Sequence, residues 1–172
     1  MMPLYTGAEY RDRAGSRSRR QHPLQPLPGW RVSGRFASMP ASDPVRFFFD
    51  YVDPASFLVE RHLALVEDSL SIAVERIPFE VRPPPTPLAD PRAPQWHSFW
   101  EGAETAALEE GVTLAHPPLV PWTRKAHELA LHSRKEDRFF AIHRALFEAF
   151  LLEGRDLGRV DVLLEIAVRH GL

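Results

Sequence analysis

The sequence contains no cysteine. That absence removes disulfides, thiolate nucleophiles and cysteine-ligated zinc together, and leaves its 172 residues with no group able to carry out thiol–disulfide exchange. Long apolar runs are missing as well. No stretch approaches the ~18 uninterrupted apolar residues of a membrane-spanning helix, and the first residues lack the apolar core of a secretory signal. The expectation is a cytoplasmic chain with no membrane partner. An excess of one charge is also lacking: the formal net charge of −2 gives no global reason for a nucleic-acid partner.

What remains is a mixture of 44% hydrophobic and 26% charged residues, the balance of one globular domain with a buried core. The basic charge is unevenly placed. Residues 1–40 hold seven arginines against only Glu9 and Asp12, and Pro23, Pro26, Pro28 and Gly29 follow the arginine run. With no apolar period of 2 or 3.6, the segment reads as a disordered basic, proline-rich tail. A basic arm for RNA or anionic surfaces is the functional alternative. Translation beginning at Met39, just before the first patterned residues, is the simpler account.

Residues 45–52, VRFFFDYV, are dense in aromatic and β-branched side chains and predict a buried strand. Asp53 followed by Pro54 is a helix-start signal, because the carboxylate accepts orphan amides while proline has none to leave unpaired. Phe57, Leu58, His62, Leu65, Val66 and Leu70 supply the apolar stripe of the helix that follows. Residues 72–81 read as a second strand, with Pro78 marking an irregular or edge position. Strand, helix, strand predicts a parallel βαβ unit. The proline-rich residues 82–94 then form a loop, and helices are expected near 96–110, 123–134, 138–153 and 160–170, with Gly111, Gly154 and Gly171 as stops. The organisation is therefore a tail over 1–40, a βαβ unit over 45–82 and an all-helical region over 95–172.

The strand FFFDYV running directly into Asp53-Pro54-Ala55-Ser56 resembles the active-site entry of the DsbA superfamily of thioredoxin-like proteins, where Cys-Pro-x-Cys, or Ser-Pro-Tyr-Ser in the glutathione-using branch, begins the helix. Residues 121–130 (PWTRKAHELA), 143–150 (HRALFEAF) and 153–157 (EGRDL) are similar to the helical insert of FrnE-like and 2-hydroxychromene-2-carboxylate-isomerase-like members. The resemblance covers residues 45–172. It implies an α/β fold with a thioredoxin-like βαβ start, an all-helical inserted domain, and a C-terminal part of the sheet that is missing here, where family members continue through further strands. It also places Asp53 and Ser56 at the positions of the catalytic pair, and neither can form a mixed disulfide.

Two readings of Asp53 stand side by side: a structural cap, and a ligand-facing carboxylate. At the positive end of a helix dipole the carboxylate should repel a glutathione thiolate, so no cofactor is expected although the resemblance implies glutathione. Ser56 could donate to a sulfur, or be solvated or bond the first-turn amides instead. Trp96, Trp100 and Trp122 could line a substrate cleft between the βαβ unit and the insert, Trp100 and Trp122 being the substrate-binding candidates, or could be packing aromatics at the junction. His127-Glu128 with His132 is one residue longer than the zinc-protease spacing H-E-x-x-H, which turns the two rings to different helix faces, so no metal is expected. His143 reads as a core-edge histidine. The function expected is that of a DsbA-family protein, homologous to dithiol oxidoreductases and glutathione-dependent isomerases but without redox activity, with a small-molecule ligand or a homo-oligomeric partner. The alternative is a non-enzymatic interaction module completed by a partner chain.

Overall fold

The computed structural model describes residues 44–172 apart from Pro91. The expectations for residues 1–40, including a start at Met39, lie outside the described residues. Strand β1 (Val45–Phe49) leads into helix α1 (Pro54–Leu70) and then strand β2 (Val74–Pro78). The strands are parallel, in register from Val45↔Val74 to Phe49↔Pro78, as a βαβ connection requires. Four helices follow: α2 (Pro94–Glu109), α3 (Arg124–Ser133), α4 (Phe139–Leu151) and α5 (Val160–Arg169), with a 3-10 turn Arg134–Glu136 between α3 and α4. Gly111 and Gly154, at φ of 71° and 68°, close α2 and α4 in the left-handed region that other residues avoid. Among the described residues no helix is long and apolar enough to cross a membrane.

Both strands are shorter than the apolar runs predict. β1 stops at Phe49 because Asp53 N–H turns back to the Asp50 carbonyl at 3.1 Å, while the Asp50 side chain takes the Val81 N–H at 2.8 Å. The expected stripe on α1 also needs correction. Phe57 is buried and Leu58 half-buried, but His62, Leu65, Val66 and Leu70 face solvent. The inward face of the second half of α1 is ionic instead, since Glu60 and Glu67 both reach the Arg76 guanidinium on β2. The core lies on one side of the sheet. Ile142, Leu146, Phe147 and Phe150 of α4 are fully buried, and Phe147 packs against Phe49, Tyr51 and Phe57, so the helical region and the βαβ unit share one hydrophobic centre.

Candidate functional site

The start of α1 is organised by one carboxylate. Asp53 holds an extended backbone (φ −97°, ψ 110°) and its side chain accepts the Ala55 N–H at 3.2 Å and the Ser56 N–H at 2.9 Å. The buried Ser56 hydroxyl donates to the same carboxylate. Asp53 is thus an N-cap with three donors, and Pro54 fills the first helical position where no N–H is missed. The Ser56 hydroxyl is thereby engaged within the cap.

Behind this turn lies a chain of buried polar groups that the sequence reading did not assemble. Asp50 and Tyr51 leave the end of β1 in different directions. Asp50 Oδ1 lies 3.2 Å from His127 Nε2 on α3, and Tyr51 Oη lies 2.9 Å from His143 Nδ1 on α4. His143 Nε2 faces the Glu60 carboxylate at 3.4 Å, and Glu60 accepts from Arg76 Nε at 2.8 Å. Arg76 also bonds Glu67 at 3.0 Å, and its own carbonyl receives the Arg134 guanidinium at 2.9 Å. A carboxylate beside Nε2 favours the proton there, which makes Nδ1 the acceptor and Tyr51 the donor. Burial pushes His143 below its ordinary pKa, opposed by the neighbouring Glu60 carboxylate. Burial also raises Tyr51 well above its ordinary value, with the Glu60 charge acting in the same direction. Both side chains are therefore neutral in the fold near neutral pH. Glu67 is lowered by its bond to Arg76.

The network ties both strands, α1, α3 and α4 together, but its members are enclosed. Asp50, Tyr51, His127 and His143 are each buried to at least nineteen-twentieths. His143 accordingly sits inside the core and not at its edge, stacked on Phe139 at 5.0 Å between ring centres. His132 is exposed while His127 is buried, so the two rings do not share a site.

A cavity of about 80 Å³ opens beside the Asp53 cap, lined by Val52, Asp53, Val81, Arg82, Trp96, Trp100 and Val120. Trp96 and Trp100 thus meet the first residue of the predicted site. Trp122 does not: it is half-exposed outside the lining and donates its indole N–H to the Thr86 carbonyl at 2.9 Å. A larger open groove, about 370 Å³, runs past Val74, Arg76, Arg134, Asp137, Phe139 and Phe140 and contains none of the predicted site residues.

Comparison with known proteins bears on this arrangement. The YwbO protein of Bacillus subtilis (strain 168), described as uncharacterized, is 27% identical over 132 residues, spanning 74% of this chain and 66% of YwbO. The crystal structure of the probable DsbA oxidoreductase SCO1869 from Streptomyces coelicolor superposes with a TM-score of 0.61 at 19% identity, over 75% of this chain and 63% of that one. At that identity the likeness establishes the thioredoxin-like α/β fold that the resemblance implies. The chain spans less than two thirds of the length of SCO1869 and about two thirds of YwbO. The family model for the DSBA-like thioredoxin domain matches residues 44–172. With strand, cap and helical region matched as one continuous stretch, the chain belongs to the DSBA-like thioredoxin domain family.

Proposed function

We propose that the chain is a redox-silent DsbA-like domain, from the branch that includes FrnE-like proteins and 2-hydroxychromene-2-carboxylate isomerases, and that it binds its ligand at the start of α1 without thiol chemistry. The observation that carries this reading is the Asp53 cap. Asp53, which the resemblance sets at the family's nucleophile position, is a carboxylate saturated by the Ala55 and Ser56 amides and the Ser56 hydroxyl. A helix N-terminus stabilises one negative charge well, and here Asp53 supplies it. A glutathione thiolate arriving at the same place would meet like charge and no unspent donor from Ser56. The neighbouring cavity, at about 80 Å³, is smaller than the roughly 150 Å³ that admits benzene. It suits the apolar end of a ligand whose polar part lies outside, toward Arg82.

The test is insulin reduction by dithiothreitol with and without the protein. No acceleration over dithiothreitol alone is expected, because exchange needs an attacking thiolate; a protein-dependent rate would refute the proposal. The double variant Asp53→Cys/Ser56→Cys creates Cys-Pro-Ala-Cys on the same helix start and should acquire a measurable rate.

A further inference from the structure

The run that follows β2 supplies Arg82 to the wall of the cavity beside Asp53. Residues 82–89 read Arg-Pro-Pro-Pro-Thr-Pro-Leu-Ala, and Pro83, Pro84, Pro85 and Pro87 have no N–H to give. Apart from Ala89 the run is exposed or half-buried, so little apolar packing holds it. Besides an internal turn from Thr86 N–H to Pro83 O, three hydrogen bonds fasten it among the described residues. Trp122 Nε1 donates to Thr86 O at 2.9 Å, Arg82 Nη2 to Pro87 O at 3.0 Å, and Val120 N–H to Ala89 O at 3.0 Å. Arg82 and Val120 are both walls of the cavity, and the Arg82 guanidinium lies 5.4 Å from the centre of the Trp96 ring, a third wall. The arrangement also encloses two donors that have no partner, Arg82 Nε and Trp100 Nε1. Each lacks the hydrogen bond that water would give it, so the closed form carries a cost that opening removes.

We infer that residues 82–89 form a strap that gates this cavity, latched at its tip by Trp122. A segment with few buried apolar contacts and solvent-facing hydrogen bonds opens locally at far lower cost than the whole fold. Its prolines make the run stiff, so it moves as one piece about its ends at Val81 and Ala89. When the strap lifts, the Arg82 guanidinium is drawn off the Trp96 face, and the cavity and its two enclosed donors meet water together. Trp122 is thereby a positioning residue: it stands outside the cavity yet holds the Arg82 wall through Thr86 and Pro87. The purpose of the gate, admitting the apolar end of a ligand, rests on the function proposed above; the opening itself does not.

Hydrogen exchange of the tryptophan indoles, followed by NMR on the full chain, reads the opening without any ligand, so its failure is separate from that of the insulin assay. The Trp100 indole N–H should exchange through local opening, at a rate nearly independent of urea at low concentration. The amide of the buried Phe147, in the middle of α4, should instead follow global unfolding with its full urea slope. Trp122→Phe keeps a ring and removes the latch donor, and should speed Trp100 exchange about fivefold, the effect of one hydrogen bond. Tyr51→Phe weakens the core away from the strap, and should speed the Phe147 amide while leaving the Trp100 indole as it was. If Trp122→Phe does not fold, Pro87→Gly replaces it: the position is exposed, and glycine gives the open strap more freedom, so Trp100 exchange should again accelerate. A Trp100 indole that shares the urea slope of Phe147, ignores the latch substitution, or responds equally to Tyr51→Phe would overturn the inference.

Discussion

The bond between Tyr51 and His143 lends itself to a double-mutant cycle, because both partners are enclosed and both can be replaced by phenylalanine with little change of shape. Tyr51→Phe leaves His143 Nδ1 without the donor it has at 2.9 Å. An orphaned buried polar group costs about 1–3 kcal/mol. His143→Phe orphans the Tyr51 hydroxyl instead and should cost a similar amount. Removing both leaves an apolar contact inside an aromatic cluster of Phe49, Phe139 and Phe147, where neither penalty applies. The double variant should therefore be no less stable than either single one, giving a coupling energy of about 1–3 kcal/mol. Urea unfolding near pH 8, where the imidazole is neutral both folded and unfolded, measures it. Additivity of the two single effects to within about 0.5 kcal/mol would refute the reasoning, since it would mean that the two groups do not depend on each other.

Further expectations follow from the cap and the ionic groups. Asp53→Ala should destabilise by about 1 kcal/mol and Asp53→Asn by much less, read from urea midpoints; equal losses would mean that charge and not hydrogen bonding holds the cap. Because burial keeps His143 neutral in the fold while the unfolded imidazole binds a proton near pH 6.5, its contribution is present above that pH and is lost as pH falls below it. The loss should be smaller in His143→Phe, in a region where Tyr51, Glu60, Arg76 and His127 are unchanged; identical pH profiles would count against a buried neutral ring. Tyr51 acts at the other extreme: raised in the fold, it should cost stability as pH climbs past about 10, a fall that Tyr51→Phe should blunt. Arg76→Met strands two carboxylates that the guanidinium now serves from a site 5% exposed, and should cost about 3–5 kcal/mol by the same urea assay; a loss under about 1 kcal/mol would show that solvent already screens the pair.

The elements were legible where the signal was local. Asp53-Pro54 sets the start of α1, and the Gly111 and Gly154 stops fall where α2 and α4 end, because capping and left-handed conformations depend on a few adjacent residues. The parallel pairing of β1 and β2 followed from their order. What escaped the sequence was long-range. Tyr51 and His143 lie 92 residues apart, and Asp50 and His127 lie 77 apart. The only hints were an aspartate inside an aromatic run, an arginine in the middle of β2 and histidines on otherwise apolar helix faces, and none of these names its partner. The misjudged stripe on α1 has the same origin. Leu65, Val66 and Leu70 have helical spacing, but the face turned to the sheet was settled by Glu60 and Glu67, whose partner Arg76 lies on the next strand. An apolar period measures what a helix could bury, whereas a buried guanidinium must have its carboxylates wherever they are, because breaking a buried pair costs several kcal/mol. The ionic face therefore turned inward and the apolar residues stayed in solvent.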